Sequence, residues 1–187
     1  MKKSRILAIS GSLRQISYNT AAIKALAALA PSHIEVNVFE GIENLPLFNP
    51  DRENEVIEAV VMLKKSLQQA DALIIASPEY AHGISGVMKN SLDWLVSGEE
   101  FINVPVALIN TSPRAGIAQK ALREVINTMS GRIIEDASIS IPLLGSNYNT
   151  EAIVADPDIS QMLITALHAI HEATIVSTDR WTGPNQP

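Results

Sequence analysis

Three predominantly apolar runs, "RILAIS" (residues 5–10), "DALIIAS" (71–77) and "VPVALINTS" (104–112), recur along the chain with helical patterns between them. A strand that is apolar on both faces has no wet side, which marks a parallel sheet covered by helices above and below. "IEVNVFE" (34–40), which alternates, and "GRIIEDASIS" (131–140) complete a set of five strands. Helical spacing predicts helices over residues 17–30, stopped by Pro31, and over 53–70, with Val56, Val60, Leu63 and Leu67 on one stripe. Further helices are expected over 86–96, over 117–129, and where Ile159, Leu163, Ala166, Leu167 and Ile170 recur. Residues 146–158 read as irregular and the tail "TDRWTGPNQP" as loose. Right-handed crossovers then give an α/β fold of three layers, a doubly wound five-stranded parallel sheet of order 2-1-3-4-5. At 187 residues a single domain is expected.

Composition removes several kinds of function. The net charge of −6 argues against a polyanion such as nucleic acid as the main partner, without excluding a local basic spot. Without cysteine there are no disulfides, thiol nucleophiles or thiolate metal sites. The apolar run behind "MKK" is too short for a secretion signal, and no stretch nears the ~20 apolar residues of a membrane span. A cytoplasmic protein is expected.

A doubly wound sheet takes its ligand beyond the carboxyl ends of its strands, where the loops after strands one, three and four converge. Here these are "SGSLRQISYNT", "SPEYAHGISG" and "NTSPRAG". The first opens a helix, whose free N–H groups and dipole favour an anion, and it adds the hydroxyls and amide of Ser10, Ser12, Ser17, Asn19 and Thr20 and the charge of Arg14. It lacks both the Walker lysine and G-x-G-x-x-G, so one terminal phosphate is a better guess than a triphosphate or a dinucleotide. A serine-rich turn capped by Ser17 explains the same residues, and the loop alone leaves the two readings level.

"GSLRQISYNT" together with "SPEYAHGISGVMKNSLDWL" resembles the NADPH-dependent FMN reductases, a flavodoxin-like family that includes quinone, chromate and azo-dye reductases. The family pattern GSLRxxSxN is matched at Gly11, Ser12, Leu13, Arg14, Ser17 and Asn19. Its second pattern is matched at Pro78, Glu79, Tyr80, Gly86, Lys89, Asn90, Asp93 and Trp94. The resemblance implies an FMN phosphate surrounded by Ser10, Ser12, Arg14, Ser17 and Asn19, with Leu13 and Thr20 in the same loop. It places Pro78, Glu79, Tyr80, Ala81, His82 and Gly83 along the flavin ring and Ser112 near the ribityl chain or ring. It further implies NADPH or NADH as co-substrate, a small electron acceptor, and a homodimer or homotetramer. No catalytic side chain or metal is required, because the flavin does the redox work. With no second nucleotide fold, donor and acceptor are expected to use one flavin face in turn, a ping-pong cycle. The chain departs from the family at Ala81, usually Asn, at Ser85, usually Pro, and at Arg114, often Gly. Arg114 either begins a helix or meets the 2′-phosphate of NADPH.

Other readings compete. Glu79, Tyr80 and His82 beside Ser10 or Ser12 could serve a hydrolase or a nucleotide-sugar transferase, but the first loop has no second acid and no G-x-S-x-G is present. A flavodoxin-like electron carrier would be oxidised by a partner protein rather than reduced by NADPH, and a phosphoacceptor receiver would need acids where this chain has "SGS". His168 and His171 read as a solvated face rather than a metal pair, and Asp51, Glu53, Glu55 and Glu58 as acids at the start of the second helix. Val87, Met88, Leu92, Trp94 and Leu95 spread over more than one stripe of the third helix. They predict either a subunit interface or cover by the loop "NLPLFNPD".

Overall fold

The computed structural model describes residues 3–179, so most of the tail expected to be loose, 180–187, lies outside the described residues. In chain order the elements are β1 (Ser4–Ser10), α1 (Tyr18–Leu29), β2 (Ile34–Val38), α2 (Glu58–Gln68), β3 (Ala72–Ala76), β4 (Glu79–Tyr80), β5 (Gly83–Ile84), α3 (Gly86–Asp93), β6 (Pro105–Asn110), α4 (Gly116–Thr128), β7 (Arg132–Ile133), β8 (Ile139–Ser140), α5 (Thr150–Ala155) and α6 (Pro157–Asp179). The main sheet runs β2-β1-β3-β6, all parallel, and β6 carries both β7 and β8 on its outer side. This is the 2-1-3-4-5 order, with the fifth strand in two pieces.

The apolar runs are explained by what lies on each side of them. Ile6, Ala8, Ile74 and Ala76 point into one core, shared with Ile23 and Leu26 of α1 and Leu163 and Leu167 of α6. Their neighbours Leu7, Ile9, Leu73 and Ile75 point into the other, shared with Leu63 of α2, Leu92 of α3 and Leu122 of α4. Every side chain of β3 is fully buried, so substituting any of them with a polar residue would put an unpaired group in a dry interior.

The structure corrects several expectations. The fifth strand breaks at a 3₁₀ turn, Glu135–Ala137. Ser138 mends the gap: its hydroxyl accepts from the Leu108 N–H at 3.2 Å and donates to the Ile134 carbonyl at 2.8 Å. Helix α2 starts at Glu58, not at residue 53, and Val56 is 91% exposed rather than part of the buried stripe. A 3₁₀ turn at Pro50–Arg52, capped by Asn49, occupies the upstream segment, and Arg52 pairs with Glu55 at 2.9 Å. Of the acids assigned to that helix start, only Glu58 lies in its first turn. Within the stretch read as irregular, Asn149 accepts from the Ala152 N–H at 2.9 Å and caps α5. Asp156 Oδ1 then accepts from Asp158 and Ile159, which starts α6.

The broad apolar surface of α3 is covered from within the chain. Met88, Leu92, Trp94 and Leu95 are buried, the Trp94 indole N–H donates to the Pro46 carbonyl at 2.8 Å, and the Phe48 ring stands edge-on to Trp94 at 5.1 Å. Asn90 clamps the same loop by accepting from the Phe48 N–H at 2.8 Å and donating to the Pro46 carbonyl at 3.0 Å. Four of the five residues named on this helix are thus occupied within the chain, as cover by the loop "NLPLFNPD" would have it, while Val87 stays half-buried. His171 is 5% exposed, not solvated. It packs edge-on to His33 at 4.7 Å, and its Nδ1 shares a hydrogen bond with the Ser4 hydroxyl at 2.7 Å. Among the described residues no group of three or more His, Cys, Asp or Glu could hold a metal, and no helix is long and apolar enough to cross a membrane.

Candidate functional site

The loop after β1 turns sharply because Gly11 is seated against its neighbours. A Cβ there would stand 2.8 Å from the hydroxyl oxygens of both Ser77 and Ser85, and 3.0 Å from the Met88 Cβ. The loop then holds itself with its own hydroxyls. Ser10 accepts from the Ser12 N–H at 3.3 Å, Ser12 from the Arg14 N–H at 3.4 Å, and Ser17 caps α1 by accepting from the Thr20 N–H at 3.3 Å. Among the described residues, no protein acceptor meets the backbone N–H groups of residues 15–19. These donors, together with the positive end of the α1 dipole, form an anion-receptive surface.

Facing them is the hairpin of β4 and β5. Its turn residues Ala81 and His82 have φ of +49° and +57°, the left-handed pair that a two-residue type I′ turn requires. Asn-Gly usually fills such a turn, so "YAHG" gave no hairpin signal. Glu79, on β4, reaches α4: its Oε2 accepts from the Ala118 N–H at 2.8 Å, and its Oε1 meets His82 Nδ1 at 3.1 Å. Helix α4 begins after Ala115, which has no capping side chain, and Glu79 supplies the missing acceptor. The Ala118 N–H holds the Glu79 carboxyl below its ordinary range, so this residue stands as a carboxylate with no proton to give.

The third wall is the loop after β6. Ser112 receives its bond from within, donating its N–H to Asn110 Oδ1 at 3.1 Å. Residues 112–115 form a turn with Pro113 second, closed by the Ala115 N–H on the Ser112 carbonyl at 3.1 Å. The Ser112 hydroxyl accepts from the Arg114 N–H at 3.2 Å. Thr111 donates to Asn19 Oδ1 at 3.1 Å, a buried link from this loop to the first turn of α1.

The three loops enclose a cavity of about 260 Å³. Of the residues expected at the site, Ser12, Arg14, Ser17, Asn19, Pro78, Glu79, Tyr80 and Ser112 line it. Ser10, Leu13 and Thr20 face an adjoining cavity of about 400 Å³, which Ser12 and Arg14 also border. Ala81, His82 and Gly83 belong to the hairpin turn and β5 and do not line the cavity. Sequence reasoning did not name Tyr18, Ser77, Asn110, Thr111, Ala115 or Leu144 as site residues, though all line it. Most of these lie inside the loops already singled out, but Leu144 arrives from beyond β8 and had no local signal. Gly11, Leu13, Arg14, Tyr80, Gly86 and Val87 form a mostly apolar notch beside the cavity.

A doubly wound 2-1-3-4-5 sheet with such loops meeting over its strand ends defines a flavodoxin-like protein. The sequence pattern of the NADPH-dependent FMN reductases matches residues 4–143. The chain is 29% identical over 172 residues to an NAD(P)H-dependent FMN reductase of Pseudomonas aeruginosa, covering 89% of this chain and 92% of the relative. It is 39% identical over 127 residues to a 2-hydroxy-1,4-benzoquinone reductase of a Burkholderia species, covering 65% and 69% respectively. The solved structure of the flavoenzyme NAD(P)H:(acceptor) oxidoreductase FerB from Paracoccus denitrificans superposes with a TM-score of 0.76 at 26% identity, covering 92% of this chain and 98% of that one. The chain belongs to the NADPH-dependent FMN reductase family, enzymes that use FMN and take electrons from NAD(P)H.

The residues present suit a flavin mononucleotide. The unpaired N–H row and Arg14 match one terminal phosphate, and the apolar notch offers a seat for a ring. The cavity falls just short of the ~300–1,000 Å³ usual for ligand pockets, so a flavin would extend past its rim.

Proposed function

We propose that the cavity holds FMN, with its phosphate on the N–H row of residues 15–19 and Arg14, and its ring between the β4–β5 hairpin and the loop after β6. The unpaired N–H row is the observation that carries this reading. When bound, FMN supplies the two-electron chemistry, from NAD(P)H to a quinone-like or azo acceptor. The chain's own part is to hold the phosphate, to orient the ring against Pro78, Tyr80 and Ser112, and to leave one ring face open. No side chain needs to move a proton, and Glu79, committed to α4, offers none. That also weighs against hydrolysis or glycosyl transfer at the same residues. One sheet provides one nucleotide crevice, so donor and acceptor take turns on the exposed face.

Further parts of the reading are proposals of the same kind. Residues 3–179 act as one FMN-binding unit, since both cores share a single sheet. A cytoplasmic setting agrees with the need for NAD(P)H. A homodimer is supported by a different surface from α3: Leu13, Ile16, Tyr80 and Leu144 are exposed apolar residues on the loops around the cavity.

The test is the absorbance spectrum of freshly purified protein, followed by titration of the apo-protein with FMN, FAD and riboflavin. FMN should bind tightest. Tighter FAD binding, or equal binding of FMN and riboflavin, would overturn the assignment.

A further inference from the structure

The charges around the cavity do not balance. Its lining includes two guanidiniums, Arg14 and Arg114, and one carboxylate, Glu79. Glu79 is already engaged by the Ala118 N–H and His82. Among the described residues neither arginine meets a carboxylate. In a chain with 20 acids and 14 bases, two unneutralised cations on one cavity are a local inversion of charge.

The two arginines also stand on different walls. Arg14 follows β1 and Arg114 follows β6, with β3 between, which sets their strands two spacings or roughly 9.5 Å apart. Arg114 is not on a loose loop. Pro113 presets its turn, the Ala115 N–H closes that turn, and the Ser112 hydroxyl holds the Arg114 N–H. The backbone is held while Arg114 itself is exposed and lines the cavity.

We infer that Arg114 reads the 2′-phosphate of NADPH and sets the preference for NADPH over NADH. This rests on the flavin reading above, in which Arg14 and the N–H row take the phosphate of FMN. A second cation then needs a second anion, and the two co-substrates differ only in the 2′-phosphate. That group is a monoester carrying close to two charges on three oxygens, to which the planar fork of arginine is matched. The pyrophosphate is common to both co-substrates and would give no discrimination.

The experiment uses the FMN-loaded protein and the variants Arg114→Ala and Arg114→Lys. Three quantities are compared: the ratio of kcat/KM for NADPH to that for NADH, the calorimetric affinities of adenosine 2′,5′-bisphosphate and 5′-AMP for the oxidised holoprotein, and the affinities of FMN and riboflavin for the apo-protein. Wild type should favour NADPH. Arg114→Ala should lower both the kinetic ratio and the bisphosphate preference by about 10- to 100-fold, and Arg114→Lys should keep part of each. The FMN-to-riboflavin affinity ratio should stay at its wild-type value. A wild type with no NADPH preference, or an unchanged ratio in Arg114→Ala, overturns the inference. Equal loss for both co-substrates overturns it in favour of the pyrophosphate, and a selective loss of FMN over riboflavin in favour of the flavin phosphate. A wild-type protein that fails to bind FMN sinks the flavin reading itself.

Discussion

Glu79 Oε2 accepts a hydrogen bond from the backbone N–H of Ala118 at 2.8 Å, so an acid on the β4–β5 hairpin caps a helix 39 residues further along the chain. The side chain is 13% exposed, and its carboxyl is held below the ordinary 4.5, first by this N–H and then, against the opposing effect of burial, by His82. A group whose folded pKa is depressed adds stability above its unfolded value and loses it as pH falls through the folded one. Glu79→Gln should therefore lower the melting temperature at pH 7, and the difference from wild type should shrink as pH falls below the ordinary value of 4.5 toward the depressed folded one. Melting curves across pH 3–7 check this. A constant difference would mean that the charge plays no part.

Arg14→Ala should weaken FMN binding by about one to two orders of magnitude, since a hydrogen bond to a charged group contributes roughly 1.5–3 kcal/mol. Riboflavin, which has no phosphate, should be affected far less. Ser12→Ala should lose less FMN affinity than Arg14→Ala, because the N–H row remains. Asn19→Ala should cost stability as well, about 1 kcal/mol or more, because the buried Thr111 hydroxyl loses its acceptor. Flavin titrations beside melting temperatures separate these effects.

Ala81 occupies a left-handed conformation at φ +49°, a position that suits glycine or asparagine. Ala81→Gly should stabilise the protein by up to about 1 kcal/mol, with the hairpin relieved of its steric penalty. A lower melting temperature for this variant would show that the Ala81 methyl group makes a contact worth more than the strain.

His171 has its pKa lowered from 6.5, chiefly by burial and then by the charges of His33 and His168, with Glu172 pulling the other way. The Ser4 and Thr174 hydroxyls that border it carry no charge. A base with a depressed folded pKa leaves the folded state fully stable above the unfolded value, and stability then falls as pH drops below about 6.5 toward the folded value. His171→Leu should flatten that decline between pH 5 and 7.5, although its melting temperature at pH 7.5 should drop with the loss of the Ser4 contact. Wild-type stability that is level across this range would remove the argument.

If a single crevice serves both in turn, as proposed, initial rates with NADPH and a quinone should give parallel double-reciprocal lines. Intersecting lines would reveal a separate nicotinamide site.

Much of this was legible in the sequence for identifiable reasons. Strands β1, β3 and β6 are buried on both faces along most of their length, and that leaves a predominantly apolar record. The three loops announced themselves by position. The misses have a common cause, which is that they depend on partners far along the chain. Nothing near Glu79 says that Ala118 lacks a cap, and nothing near Trp94 says that the Pro46 carbonyl will receive its indole. Ser138 looks like an ordinary strand residue until its hydroxyl is seen completing the ladder at Leu108. Helix α5, six residues long, is too short for periodicity to reveal.

The loop after β6 is tied twice to the rest of the cavity, through Thr111 to Asn19 on one side, and through the helix that follows it, via Ala118, to Glu79 on the other. It is the keystone of an arch whose two other stones never touch each other through these bonds. Slackening it releases both flanks together, so drift in sequence between residues 110 and 118 should register first as a looser grip on ligand, through lost preorganisation, well before the sheet beneath it gives way.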